Sequence, residues 1–149
     1  MGSASTTNLG DIFDLAAAAE RTALIDCREW DNPREYTHGE LDARANACAR
    51  GLIARGLEPG QSVALLSANR AEFMIAYLGI LRAGLVAVPI NYKFSAEIIT
   101  FILVDADVRL AICDAERAAA LRSDVPVVCF DTDGKVSFDT LLHPGPFDV

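Results

Sequence analysis

Hydrophobic positions along the chain change period several times, and each change marks an element. Between Asn8 and Arg21, Ile12, Leu15, Ala16 and Ala19 recur at helical spacing behind Asp11, which predicts a first helix lying as a flap on the body. Ala23–Cys27 and Glu35–Thr37 flank the turn formers Asp31-Asn32-Pro33 and read as a two-stranded hairpin, with Trp30 beside the turn to cover an edge. Thr37-His38-Gly39-Glu40 has the capping-box form, in which the hydroxyl accepts a free helix N–H and the glutamate reaches back. A helix therefore starts here, with Leu41, Ala45, Cys48 and Leu52 inward, Asp42, Arg44 and Arg50 outward, and Gly56 as its stop.

From Ser62 onward, strand and helix patterns alternate, the sequence form of successive βαβ units. Ser62–Leu66 is a strand. Asn69 to Glu72 can cap a helix that is apolar on nearly every side through Phe73, Ile75, Ala76, Leu78, Ile80 and Leu81, and that Gly84 closes. Leu85–Val88 is the next strand, and Ser95 can cap a helix over Ala96–Asp105, although its β-branched Ile98-Ile99-Thr100 run also suits a strand. Leu110–Cys113, Ala115–Arg122 and Val125–Phe130 read as strand, helix and strand, and Asp131 to Gly134 is a turn before a short element at Phe138–Leu142. The expected fold is α/β: a mainly parallel sheet with helices on both faces and a short N-terminal hairpin. One domain over 1–149 is expected, with the N-terminal helix in 8–22, hairpin and helix in 23–61, the βαβ core in 62–130 and a tail in 131–149.

Composition narrows the function classes. The formal net charge is −8, and no cluster of cations offsets it, so a nucleic-acid partner is disfavoured. The cysteines, Cys27, Cys48, Cys113 and Cys129, lack C-x-x-C spacing and sit in or beside apolar segments, as reduced, buried thiols of a cytoplasmic protein do. The N-terminal MGSASTTNLGDIF has neither a basic region nor a long apolar run, so it is not a secretory signal. The apolar run Phe73–Ile90 is interrupted by Arg82, Gly84 and Pro89, and a central Arg costs about 2.5–3.5 kcal/mol to insert, so it reads as core and not as a membrane span.

Chemistry-bearing residues are sparse. The lysines, Lys93 and Lys135, have no Gly-rich context that could cradle phosphates, and no G-x-G-x-x-G is present. His38 and His143 have no adjacent nucleophile or ligand set, so no catalytic and no metal residue is assigned. Asp105, Asp107, Asp114, Asp131 and Asp133 could be grouped as a metal or phospho-acceptor pocket. Such a pocket needs an acidic pair after the first central strand, where Leu65-Leu66-Ser67-Ala68 supplies none, so caps and turns account for them better. Asn91-Tyr92-Lys93 lies at the C-terminal end of a strand and before a helix, where open α/β sheets bind ligands.

Glu35-Tyr36-Thr37-His38-Gly39-Glu40-Leu41, then Gly60-Gln61-Ser62-Val63-Ala64-Leu65, then Leu81-Arg82-Ala83-Gly84 with Val88-Pro89-Ile90-Asn91, resemble in order and spacing the N-terminal region of adenylate-forming enzymes, above all the AMP-forming acyl-CoA synthetases. The resemblance covers roughly Leu9 to Leu142 and implies a ligase of fatty acid metabolism that uses ATP, Mg and coenzyme A. It also implies that the chain is an N-terminal fragment, inactive and without bound cofactor, because the phosphate loop and catalytic Lys of such enzymes lie downstream. By position, Asn91, Tyr92, Lys93 and Arg117 would inherit contacts to the nucleotide end of coenzyme A: Tyr92 or the loop backbone toward adenine, Lys93 and Arg117 toward phosphate. The implied partner is the remainder of the enzyme, and the apolar surface left uncovered suggests a homo-oligomer. Two other readings stay open: a naturally short binding or assembly module on the same scaffold, and a small flavodoxin-like nucleotide binder.

Overall fold

The computed structural model describes residues 8–119, 121 and 124–147. An antiparallel hairpin pairs β1 (Thr22–Asp26) with β2 (Arg34–Thr37), and a separate four-stranded parallel sheet has the order β4-β3-β5-β6, with β3 Ser62–Leu66, β4 Val86–Pro89, β5 Val108–Cys113 and β6 Val127–Cys129. Helices α1 (Leu15–Ala18), α2 (His38–Ala54), α3 (Ala71–Arg82), α4 (Ala96–Asp105) and α5 (Ala115–Ala118) complete the order, followed by 3₁₀ turns at Gly134–Val136 and Phe138–Leu141.

The sheet is covered on both faces because its strands are apolar on both. Val63, Leu65, Leu110, Ile112 and Val128 pack with Leu41, Cys48, Leu52, Ile75 and Ile80 of α2 and α3. Ala64, Leu66, Ala111, Cys113 and Cys129 pack with Ile99 and Leu103 of α4. Each fully buried Leu or Ile here contributes about 1.5–3 kcal/mol relative to exposure. Because β4 and β5 lie on opposite sides of β3, right-handed crossovers send α3 and α4 to opposite faces. The chain reverses its winding between β3 and β5, so a crevice opens beyond the C-terminal ends of those strands.

The Thr37–Glu40 capping box forms in both directions, with Glu40 N–H donating to Thr37 Oγ1 at 3.1 Å and Thr37 N–H donating to Glu40 Oε2 at 2.8 Å. Ser95 caps α4 as its position predicts. Several expectations are corrected. Between Asn8 and Arg21 only Leu15–Ala18 is helical, and Ile12 is 60% exposed, because Asn8 Oδ1 accepts from Gly10 N–H and Arg82 Nε donates to Gly10 O, which hold that segment as a turn. Trp30 is 81% exposed and covers no edge. Cys27 is exposed, while Cys48, Cys113 and Cys129 are buried and free. Asn69 does not cap α3, since the Ala71 N–H donates to Asp26 Oδ2 at 3.1 Å from the end of β1. Helix α5 closes at Ala118, and the rest of the expected Ala115–Arg122 helix reaches beyond the described residues.

Helices α2 and α3 approach closely because Gly79 has no side chain: a Cβ there would lie 2.7 Å from Cys48 Cβ and 3.1 Å from Ala45 O. Gly79→Ala is therefore expected to destabilise the domain by about 1–3 kcal/mol, since both neighbours belong to the packed α2 backbone or its first side-chain atom. Urea denaturation of the two proteins checks this, and an unchanged midpoint would show that the helices separate without strain.

Candidate functional site

A cluster of charged residues lies at the C-terminal edge of the parallel sheet, as the winding reversal places it. Arg70 ends the loop after β3, and its side chain is only 7% exposed, so its charge needs compensation inside the protein. Nε donates to Glu72 Oε2 at 3.1 Å, and Nη1 donates to Asp114 Oδ1 at 3.0 Å and to Asp131 Oδ1 at 2.6 Å. Its guanidinium also lies over the Phe130 ring, 4.8 Å from the centroid. One cation thus joins the segments that follow β3, β5 and β6.

Asp114 receives more than Arg70. Ser67 Oγ donates to its Oδ1 at 2.8 Å and Ala68 N–H to its Oδ2 at 3.1 Å. Burial would raise its pKa, but the Ser67, Ala68 and Arg70 donors outweigh burial and hold it below the ordinary carboxylate range. Glu72 is held low in the same way, burial being overcome by Arg70 and Arg28. So is Asp26, where burial is overcome by Arg28 and the Ala71 N–H. Arg28 bridges the two groups, with Nε 3.0 Å from Asp26 Oδ2 and Nη2 3.3 Å from Glu72 Oε2, and so ties the hairpin to α3.

On the β4 side of this cluster, Asn91, Tyr92, Lys93 and Arg117 converge. Asn91 forms a turn, its Oδ1 accepting from Lys93 N–H at 3.0 Å and its carbonyl from Phe94 N–H at 3.1 Å. The Arg117 guanidinium lies 4.1 Å from the Tyr92 ring centroid while its Nη1 donates to Tyr92 O at 3.3 Å. Lys93 Nζ is 6.0 Å from the same centroid. Arg117 Nε lies 3.4 Å from Asp114 Oδ2, an ion pair whose angle is too poor for a hydrogen bond, so Nε is buried without one. Leu66, Tyr92, Phe94, Ile99, Arg117 and Leu121 line a cavity of about 160 Å³ here. Its walls are largely apolar and aromatic, with the Arg117 cation and the Glu116 carboxylate both in the lining, a surface suited to a flat, ring-bearing ligand.

Arg70 and the joint role of Asp114 and Asp131 escaped the sequence reading. Asp114 precedes α5 but makes no side-chain cap there, and the carboxylate turns instead toward Ser67 and Arg70. Among the described residues no group of three or more His, Cys, Asp or Glu side chains is placed to hold a metal ion.

The profile of the family described as AMP-binding enzyme matches residues 14–146. The long-chain-fatty-acid–CoA ligase FadD13 of Mycobacterium tuberculosis is 39% identical over 117 residues, which are 75% of this chain and 23% of that protein. The AMB antimetabolite synthetase AmbE of Pseudomonas aeruginosa is 34% identical over 126 residues, 80% of this chain and 6% of that protein. Among solved structures, the anthranilate CoA ligase AuaEII in complex with anthranoyl-AMP superposes with a TM-score of 0.77 at 27% identity, covering 87% of this chain and 26% of that one. The Klebsiella oxytoca NpsA N-terminal subdomain gives 0.74 at 26% identity, covering 95% and 34%. The chain spans well under two thirds of these relatives.

The three depressed carboxylates fix a pH dependence. Groups whose folded pKa is lowered stabilise the fold fully above their unfolded values, near 4, and that stability is lost as pH falls through the lower folded values. Stability should therefore drop as pH falls below about 4. Arg70→Met, which strands Asp114 and Glu72, should cost about 3 kcal/mol or more at pH 7 and flatten that acid limb. Denaturation midpoints from pH 3 to 7 for both proteins decide it, and parallel curves would show that Arg70 is not the group holding these carboxylates ionised.

Proposed function

The chain belongs to the AMP-binding enzyme family, and on that premise we propose that it is the opening part of an AMP-forming acyl-CoA synthetase. The observation that carries the proposal is the family match over residues 14–146, on a fold superposing with CoA ligases. The proposed parent reaction has two steps. A carboxylate oxygen attacks the α-phosphorus of ATP, assisted by Mg, and pyrophosphate leaves. The thiol of coenzyme A then attacks the acyl carbon of the adenylate, AMP leaves, and a thioester forms.

Within this reaction the 149-residue chain supplies scaffold and one edge of a ligand site, not the chemistry. Its lysines, Lys93 and Lys135, lack the Gly-rich surroundings that converge N–H groups on phosphate. Asn91, Tyr92, Lys93 and Arg117 are proposed to meet the nucleotide end of coenzyme A, with the ring of Tyr92 and the cavity beside it near adenine and the cations toward phosphate. The likeness to the AMB antimetabolite synthetase AmbE supports a second reading, in which the parent is a synthetase other than a CoA ligase.

The proposed partner is the remainder of the enzyme. Ile98, Phe101 and Val104 of α4 are 46%, 66% and 73% exposed, and Phe94 at 43% extends the stripe at helical spacing, so α4 offers an apolar ridge for that partner. Alone, the chain is expected to self-associate through it. Phe101→Glu should then return it to a monomer in light scattering, and a wild-type monomer at all concentrations would count against this face. No helix among the described residues is long and apolar enough to cross a membrane.

Two measurements test the main reading. The coding DNA beyond codon 149 should continue in frame into a Ser/Thr/Gly-rich loop with Lys, and an immediate stop codon would favour a short binding module. Carboxylate-dependent ATP–pyrophosphate exchange should be undetectable for the 149-residue chain, and clear exchange would show that the adenylating groups lie within it.

A further inference from the structure

Arg117 sits on α5, a helix of one turn, Ala115–Ala118, which by itself cannot hold a long side chain in one rotamer. An arginine side chain carries about 2 kcal/mol of rotamer entropy, so its stacked pose over Tyr92 needs other partners. Those partners are the Tyr92 carbonyl at 3.3 Å, the Tyr92 ring at 4.1 Å and Asp114 at 3.4 Å. Asp114 is the partner that is itself anchored, by Ser67 at 2.8 Å, Ala68 at 3.1 Å and Arg70 at 3.0 Å. Arg70 in turn is fixed between Glu72, Asp131 and the Phe130 face.

We propose that Asp114, backed by Arg70, is the positioning residue of the cavity, holding Arg117 over Tyr92 so that the two form one preorganised wall for an anionic, ring-bearing ligand. The proposal rests on the reading of this cavity as the seat of the nucleotide end of coenzyme A. It makes a prediction opposite in sign to simple electrostatics. Arg70 and Arg117 face Glu72, Asp114 and Asp131 in this cluster, so removing one carboxylate makes the surroundings more positive and, by charge alone, should tighten anion binding. Loss of positioning should weaken it.

The variant Asp114→Asn keeps the shape and acceptor oxygen toward Ser67 and discharges the group facing Arg117. Asp131→Asn serves as comparison, because Asp131 touches Arg70 and makes no ion pair with Arg117. Two readouts are used on the 149-residue chain: hydrogen exchange of the Arg117 Nε–H resonance, and calorimetric titration with coenzyme A and with adenosine 3′,5′-bisphosphate. Asp114→Asn is expected to speed Nε–H exchange and weaken both ligands about fivefold or more, while Asp131→Asn, which removes charge without touching Arg117, leaves Nε–H exchange unchanged and binding equal or slightly tighter. Equal or tighter binding in Asp114→Asn, or unaltered Arg117 exchange, overturns the proposal. If the wild type binds neither ligand, the coenzyme A reading fails, and the Arg117 resonance alone decides whether Asp114 positions it. A thermal melt of each variant separates these results from loss of the fold.

Discussion

A buried guanidinium sets the terms for the C-terminal edge of this sheet. Arg70 has 7% of its side chain exposed, and a cation so placed demands acceptors from whatever surrounds it. The three it finds come from α3, from the end of β5 and from the segment after β6, so charge compensation is also what joins those segments. Hydrogen bonds from Ser67 and Ala68 to Asp114 extend the same network back to β3. Arg28 carries it out to the hairpin through Glu72 and Asp26, and Asp26 caps α3. Position of the hairpin, direction of α3 and spacing of the strand ends are thereby coupled.

A second arginine performs the equivalent task at the other end of α3. The Arg82 side chain is fully buried, with Nε donating to Gly10 O, Nη1 donating to Asp42 O and Asn46 Oδ1, and Nη2 lying 2.7 Å from Asp42 Oδ1, though poorly angled for a hydrogen bond. It pins the N-terminal turn onto α2 and α3, with the Phe13 ring 5.9 Å away. The Arg82-Ala83-Gly84 block, among the sharpest points of family resemblance, thus has a structural reason within this chain. Gly84 at φ +72 turns the chain out of α3 toward β4, and Arg82 fastens what precedes.

These two arginines also mark where sequence reading succeeds and where it stops. Strand β3, the Thr37–Glu40 box and α4 are legible because their signals are local: a short continuous apolar run, a cap hydroxyl and its partner three residues on, a serine before an apolar run. The Asn8–Arg21 helix failed because Gly10 is claimed by a residue on another helix, which no local period records. Asp114 and Asp131 read as caps or turns for the same reason. Their partner is separated from each by tens of residues, and only folding brings them together. The convergence of Arg117 with Tyr92 was legible at the level of position, since both follow parallel strands at the same sheet edge, but the stacking between them was not.

The crevice at the winding reversal is the place where an open parallel sheet ordinarily admits a ligand, yet in this chain Ser67, Arg70 and Asp114 occupy it with mutual bonds. Asp114, Ser67 and the Nε and Nη1 groups of Arg70 already have partners there, so a ligand displacing them would have to break charged contacts that protein burial makes strong. A cleft of about 570 Å³ opens on the hairpin side, lined by Asp26, Arg28, Asn69 and Arg70, and a smaller cavity of about 160 Å³ lies one strand over beside Tyr92, where Arg117 retains a buried Nε without a hydrogen bond. The bonded strand ends therefore act as a foundation for the cavity beside Tyr92. Asp114 is the side chain shared between them, which makes the order of the one depend on the charge balance of the other.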